Sequence, residues 1–431
     1  MLRREFMKTV AVGTGAMLMD GIGDGQAREE EERPLPGISK IKKPIAIAMW
    51  DFSWLLRHYP TGEFEDWDRV LDGLAERGYN AIRMDAFPHQ VAADPEGKVQ
   101  EEFYYPKNNW HPAMWGNNYT MYSRPREGLL EFLPKCRERN IRVGLATWFM
   151  AYTEKIKGLE GFVRVWDETL RFIQQHGLLD NVLYVDVLNE YPLFHGFTWL
   201  KEKLEAIKDA KLEEVVPVGE DKEGANQWKA VGGVYNEVQR SYYKHFMTEA
   251  LKKLAEKWSG LDFFASQTFN PAVAWQDMDY SQFAAMDVHY WFMMNEKLHG
   301  GTGYWKNIHN ISSCPNDLEF AEVQKKVMGN WQANKAELVE WMENNVREVA
   351  EMSRKWKIPC GNTEGWGPIN WLDHPALTWD LVKEAGEICA RLGAKYGYMF
   401  NCSSNFTHPQ FPRLWNDVKW HQKVTSIIRN G

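Results

Sequence analysis

The chain has 431 residues, 44% of them hydrophobic and 26% charged, with a formal net charge of −8 at pH 7. That length supplies a large buried core, in one big domain or several small ones. The acidic balance, with no long basic run, argues against nucleic acid or an anionic membrane surface as a partner.

The N-terminus reads as a targeting segment. Met1-Leu2-Arg3-Arg4-Glu5-Phe6-Met7-Lys8 carries an arginine pair, and the mildly apolar stretch Thr9–Met19 after it is too short to span a bilayer. The pattern resembles a twin-arginine export signal, with small residues near Gly25 and Ala27 as a cleavage point. Residues 1–27 are thus expected to direct export, to the periplasm or beyond. Residues 28–44 form a charged, Pro-containing linker to a single domain over 45–431. No other run is long and apolar enough for a membrane span, so the mature protein is expected to be soluble.

From Ile45 onward, short β-like runs alternate with helical patterns. The predicted strands are Ile45–Trp50, Asn80–Met84, Ile141–Trp148, Val182–Asn189, Asp262–Thr268, Met286–Trp291, Pro359–Thr363 and Tyr396–Cys402. Several are apolar on both sides, as parallel strands covered by helices are. Asp66 is placed to cap a helix with Trp67, Val70, Leu71 and Leu74 on one face and Gly78 at its end. Further helical patterns cover Arg126–Asn140, Gly161–Gln175, Tyr235–Trp258, Ala336–Lys357 and Thr378–Leu392. Strands and helices in this alternation predict an α/β fold, a (β/α)₈ TIM barrel with long βα-loop insertions. An open doubly wound sheet would want a glycine-rich turn after the first strand, and none is there.

Three long connections, Asp85–Pro125, Tyr191–Gly232 and Phe292–Trp331, each follow a strand and so belong to the catalytic rim of a barrel. They carry Tyr104, Tyr105, Trp110, His111, Trp115, Tyr119, Phe194, Trp199, Tyr304 and Trp305. Loops of this length usually serve as functional walls or lids, so these side chains are expected to narrow a groove into a pocket; the alternative is that they pack on the barrel's flank. The five cysteines (Cys136, Cys314, Cys360, Cys389 and Cys402) are scattered without metal-ligand spacing, and their odd number leaves at least one thiol unpaired within the chain. Cys360 and Cys402 fall in strand-like segments and read as small core residues.

Barrel active sites lie at the C-terminal ends of strands. Strand four ends Tyr184-Val185-Asp186-Val187-Leu188-Asn189-Glu190. Alternation puts Tyr184, Asp186, Leu188 and Glu190 on one face and the two valines against the helices, so Glu190 is expected in the barrel mouth. Strand seven reads Cys360-Gly361-Asn362-Thr363-Glu364-Gly365-Trp366, with Glu364 at its end and a glycine after it that permits an unusual turn. The two strands lie across a barrel from each other. Cleaving a sugar acetal takes one group to protonate the leaving oxygen and a carboxylate to attack or stabilise the anomeric carbon, and this pair is the minimum equipment.

"LNE" in strand four, "TEGWG" in strand seven and "IRMD" in strand two resemble the cellulase-like glycoside hydrolases of clan A, over roughly residues 45–425. The resemblance implies a retaining hydrolase of β-glycosidic bonds, acting on an oligosaccharide or polysaccharide without a cofactor or metal; the pocket expected from the three long connections would fit it to attack at a chain end or on a short oligosaccharide. It makes Glu190 the acid/base and Glu364 the nucleophile. Asn189 would hold the substrate 2-hydroxyl, and Arg83 would hydrogen-bond Glu364 and keep it ionised. Strand six, Asp287-Val288-His289-Tyr290-Trp291, matches the clan's His-x-Tyr pattern imperfectly: Trp291 stands where Tyr is usual and Tyr290 comes one residue early. Alternation turns Asp287, His289 and Trp291 inward; His289, Tyr290 and Trp291 are all candidates for substrate contact. The clan's tryptophan at the end of strand eight is missing, with Phe400, Asn401 and Cys402 in that region. The stacking floor for a sugar is then expected from Trp50, Trp148 or Trp366.

Two other readings use the same barrel. Glu190, His289 and Glu364 are ligand types for a metal-dependent sugar isomerase or epimerase, though Arg83 beside Glu364 would repel a cation. A non-catalytic carbohydrate-binding barrel would not need both glutamates.

Overall fold

The computed structural model describes residues 37–49, 52–105, 120–193, 195–215, 235–269, 275–309 and 317–431. The export signal and most of the linker fall outside these, as do Trp50, Trp110, His111, Trp115, Tyr119, Phe194 and Cys314.

Twelve strands are present among the described residues: β1 (Ile45–Ala48), β2 (Ala81–Asp85), β3 (Phe103–Tyr105), β4 (Met121–Ser123), β5 (Arg142–Ala146), β6 (Val182–Asp186), β7 (Phe263–Phe264), β8 (Gln267–Thr268), β9 (Met286–Trp291), β10 (Cys360–Asn362), β11 (Gly365–Trp366) and β12 (Phe400–Cys402). β3 and β4 form a separate antiparallel ribbon. The rest run parallel in the order β9-β10-β12-β1-β2-β5-β6-β7. The ring closes through the segment Phe263–Thr268: its first half pairs with β6 (Val185 with Phe263) and its second half with β9 (Gln267 with Val288). The result is the expected (β/α)₈ barrel, with the fifth stave split in two.

β9 coincides residue for residue with the prediction, β2 is shifted by one residue toward its C-terminal end, and the other staves are shorter at one or both ends. The reason lies in the ends themselves. Past Asp186 and Asn362 the chain leaves the ladder to present side chains at the mouth. The helix Trp67–Glu76 is capped as read, Asp66 accepting from the Arg69 amide, and Gly78 follows it with φ 84°, a conformation few side chains tolerate.

Two expectations are corrected. The connection after β9 is not loop throughout: a helix of 40 residues starts at Asp317, well before Ala336. Its buried Phe320, Val323, Val327 and Trp331 keep the three-to-four spacing of a helix packed on one side. Secondly, the described rim aromatics mostly pack down. Tyr105 and Tyr304 are buried, the Tyr304 hydroxyl donating to Asn370 O and accepting from the Asn370 amide, and Trp199 packs on Phe197 and Phe246. Trp305 leans edge-on against Tyr304. Of those described, Tyr104 is the exposed one. Cys136, Cys360, Cys389 and Cys402 are buried free thiols, as small core residues. No helix among the described residues is long and apolar enough to cross a membrane.

Candidate active site

β2 and β6 each point one ionisable side chain at the barrel axis, and these meet. Arg83, fully buried, donates from Nη1 to Glu364 Oε2 (3.0 Å) and from Nη2 to Asp186 Oδ2 (3.0 Å) and to Asn189 Oδ1. A guanidinium offers its donors in a planar fork, which lets one side chain hold three partners on two strands.

The end of strand four is fixed by Ser266, in the gap between β7 and β8. Its amide donates to Asp186 Oδ1 (2.9 Å), its hydroxyl to Asn189 Oδ1 (3.2 Å), and its Oγ accepts from the Glu190 amide (3.0 Å). Glu190 has φ 50°, a left-handed conformation that costs a non-glycine residue free energy and is held by its surroundings. That turn breaks the strand's alternation and brings both Asn189 and Glu190 into the site. Asn189 Nδ2 is a buried donor with no hydrogen-bond partner among the described residues.

His289 stands between the carboxylates. Its Nδ1 lies 2.9 Å from Glu190 Oε1 and 3.6 Å from Glu364 Oε2, and its Nε2 is 3.5 Å from Asp287 Oδ2 and 3.3 Å from Thr363 Oγ1. Burial alone would strip the imidazole of its proton, but Asp287, Glu190 and Glu364 outweigh it and push its pKa up to about 10. At neutral pH it is an imidazolium. Asp287 also feels burial, which raises it; the His289 charge, Arg83 and the Thr363 hydroxyl (2.6 Å) win, and it lies below the usual carboxylate range. For Asp186 burial dominates, Asp287 adds to it, and Arg83 offsets only part, so its pKa is raised.

One carboxylate oxygen each of Glu190 and Glu364 and one His289 nitrogen lie within 4.8 Å of one another. Three such ligand atoms can hold a metal ion. An ion here would have to displace the His289 proton and tolerate the Arg83 guanidinium 3.0 Å from Glu364. The donor set therefore suits protons better than a dication.

Of the sequence candidates, Arg83, Asn189, Glu190, His289 and Glu364 converge. Trp291 is 6.0 Å from the His289 ring, edge-on, and its buried Nε1 has no partner among the described residues. Tyr290 faces the other way, stacked on Phe269 at 5.0 Å in the hydrophobic core. Trp366 also turns away: its indole N–H donates to Asn401 Oδ1 (3.1 Å) and Cys402 O (3.0 Å). Trp148 is buried at the end of β5, tied by its amide to Asp85 and near Phe52 (5.9 Å); Trp50 lies outside the described residues. Gly365 needs no special turn angle of its own; a Cβ there would lie 2.8 Å from Tyr290 O, where β11 pairs with β9. Asp186, Asp287, Ser266 and Thr363 were not read as site residues. Alternation does turn both aspartates inward, which was the available signal; nothing marks Ser266 or Thr363.

The model of a family described as sugar-binding cellulase-like matches residues 47–429. The chain belongs to this cellulase-like family. Its similarity to a candidate glycoside hydrolase from Parabacteroides distasonis is 30% identity over 90% of this chain and 94% of that one, with a TM-score of 0.70. A cellulose synthase subunit and a mannosidase lie further off. The cellulose synthase subunit Z of Clostridioides difficile is 10% identical over 89% of this chain and 99% of its own, at TM-score 0.49. An exo-β-1,4-mannosidase from an Opitutaceae bacterium is 10% identical over 92% and 61%, at TM-score 0.46. Neither bears on activity at that distance. No match was found among curated proteins. This cellulase-like chain is a glycoside hydrolase on a TIM barrel.

Proposed function

We propose that the enzyme hydrolyses β-glycosidic bonds with retention, by double displacement, Glu364 acting as nucleophile and Glu190 as acid/base. The separation of the two carboxylates carries this reading. One oxygen of each lies within 4.8 Å of one oxygen of the other, which supports the spacing of retaining pairs, about 5–5.5 Å, over the about 6.5–9.5 Å of inverting pairs that hold a water between them.

The partners support the division of roles. Glu364 is bonded to Arg83, a permanent cation, which favours the ionised form a nucleophile needs. Glu190 is bonded to His289, with which it can share a proton. Arg83 and His289 are two positive charges facing the four carboxyls of Asp186, Glu190, Asp287 and Glu364, so an additional proton is favoured among the acids. In the first step Glu364 attacks the anomeric carbon, the bond to the leaving oxygen breaks, and Glu190 gives that oxygen its proton. In the second, Glu190 takes a proton from water as the water oxygen attacks the same carbon and releases Glu364. The spare Asn189 Nδ2 donor suits a hydroxyl of the bound sugar, and the Trp291 indole N–H a second.

Proton NMR of the first-formed anomer, with the substrate found by screening aryl β-glycosides, tests the reading; an inverted product refutes it. Attack at chain ends or on short oligosaccharides remains part of the proposal, on the length of the connections after β2 and β6 alone, since the described rim aromatics mostly pack down. A slow fall in polysaccharide viscosity during steady release of a small product is the expected result. Export rests on the Arg3-Arg4 segment; cell fractionation with an Arg3→Lys/Arg4→Lys variant, retained inside the cell, checks it.

A further inference from the structure

Behind the acid/base a chain of hydrogen bonds runs through Asp287, Thr363 and His289, and double displacement does not itself require it. Asp287 and His289 are two positions apart on β9, so the pleat turns both to the barrel axis. Thr363 directly follows β10. Its amide donates to Asp287 Oδ1 (2.9 Å), and its Oγ1 lies 2.6 Å from Asp287 Oδ2. All three side chains are buried.

The direction of each bond follows from what the groups can offer. Asp287, whose neighbours hold it below the usual carboxylate range against the pull of burial, is ionised and can only accept. The single hydroxyl proton of Thr363 is therefore given to Oδ2. Oγ1 then meets His289 Nε2, 3.3 Å away, as an acceptor, and Oδ2 stands 3.5 Å from the same nitrogen. Nε2 must carry a hydrogen. With that end held, the ring presents Nδ1 to Glu190 Oε1 at 2.9 Å, nearer than Glu364 Oε2 at 3.6 Å. The partner of one imidazole nitrogen sets what the other offers. The charged ring donates from Nδ1, which occupies Oε1 as an acceptor. Glu190 Oε2 has no hydrogen-bond partner among the described residues.

We propose that Asp287 and Thr363 are positioning residues for the acid: by holding His289 Nε2 they keep Nδ1 on Glu190 Oε1, and so assign the transferable proton to Oε2. The proposal rests on the reading of Glu190 as acid/base. In the first step the O–H bond at Oε2 breaks and its proton passes to the leaving oxygen. The bond from that oxygen to the anomeric carbon breaks as the bond from Glu364 forms. In the second step Oε2 takes a proton from the attacking water. The hydrogen shared by Nδ1 and Oε1 stays in that contact throughout. An ordinary interior ion pair would steady the fold equally for every substrate. This chain should matter most where the leaving group needs its proton.

The test measures kcat/KM, which reports the first step, on a dinitrophenyl and an unsubstituted phenyl β-glycoside of the same sugar. Asp287→Asn keeps the size and puts an amide donor where the chain needs an acceptor. On the phenyl glycoside it should lower kcat/KM by about 10- to 100-fold, part of the about 10²- to 10⁴-fold that acid catalysis supplies, and on the dinitrophenyl glycoside by no more than about 3-fold. Thr363→Val should show the same pattern, and Thr363→Ser, which keeps the hydroxyl, a smaller loss than Thr363→Val. ¹⁵N NMR of the His289 ring, assigned by its absence in His289→Gln, should show both nitrogens protonated at neutral pH in the intact enzyme. One of them should be bare in Asp287→Asn. Equal losses on the two glycosides in Asp287→Asn, or an unaltered ring spectrum, overturn the proposal. Should Asp287→Asn not fold, Thr363→Val decides by the same comparison of glycosides. Glu190→Ala on the same two substrates tests the parent reading separately, since an equal loss there removes Glu190 as the acid. A loss in Glu190→Ala that depends on the leaving group, with an even loss in Asp287→Asn, refutes the positioning role alone.

Discussion

Removing the guanidinium of Arg83 is the sharpest perturbation of this site. Arg83→Met keeps most of the side-chain length and deletes the charge that touches Glu364, Asp186 and Asn189. Two unit charges about 4 Å apart interact by about 4 kcal/mol at an effective dielectric near 20. At about 1.4 kcal/mol per pKa unit that is close to 3 units, the top of the range of about 1–3 units seen for a carboxylate beside arginine. Losing the cation favours the protonated carboxyl. The acidic limb of kcat/KM, which reports the nucleophile, should therefore move up by about 1–3 units. Asp186, whose raised pKa Arg83 now restrains, should take up its proton as well. Leaving buried carboxylates unpaired costs about 3–5 kcal/mol of stability near neutrality, and the deficit should shrink in acid, where those groups are neutral. Arg83→Lys keeps a charge without the fork, so its limb should move less. The assay is kcat/KM against pH on an activated aryl β-glycoside, with urea unfolding in parallel at two pH values. An acidic limb in Arg83→Met that stays within about 0.3 unit of the intact enzyme would refute the pairing as a device for Glu364.

Other outcomes follow from the same geometry. Glu190→Ala should slow substrates with poor leaving groups by about 10²- to 10⁴-fold and activated aryl glycosides far less, with azide restoring part of the rate; equal losses on both would remove Glu190 as the acid. In Glu364→Ala a fluoro-sugar should label no carboxylate, and mass spectrometry finding a label elsewhere assigns the nucleophile elsewhere. His289 has a folded pKa near 10 against an ordinary value near 6.5, so its contribution to stability is full below about pH 6.5 and is lost as pH rises through about 10. The urea midpoint should fall across that interval, and His289→Gln should flatten the fall. Dialysis against a chelator should leave activity intact; a loss that zinc or manganese restores would favour the metal-dependent reading of Glu190, His289 and Glu364.

The barrel and its two glutamates were legible because both rest on patterns that local chemistry enforces. Parallel staves covered by helices must be apolar on both faces, and the residue that ends a stave must face the mouth. What escaped depends on partners distant in the chain. The Ser266 hydroxyl joins Asn189 and the Glu190 amide across 77 and 76 positions, and Thr363 reaches Asp287 across 76. Trp366 was misread because a tryptophan beside a catalytic glutamate suggests a sugar platform; its N–H instead finds two acceptors on β12. The helix from Asp317 was partly hidden because the charged residues between its apolar positions read as loop.

The split fifth stave has a kinetic consequence. Two-residue ladders hold β7 to β6 and β8 to β9, and bonds from the Val187 amide to Phe264 O and the Tyr191 amide to Ser266 O bridge the interval; a break in a ladder is where local opening begins. Ser266 sits in that interval and anchors the Asn189–Glu190 backbone. Opening of this seam should therefore loosen the Glu190 backbone as well, and deuterium uptake at Ala265–Thr268 should rise in step with loss of turnover. Substitutions beneath the seam, at Phe263 or Phe264, should then register in kcat before they register in Tm, although neither side chain is among those that converge on Glu190 and Glu364.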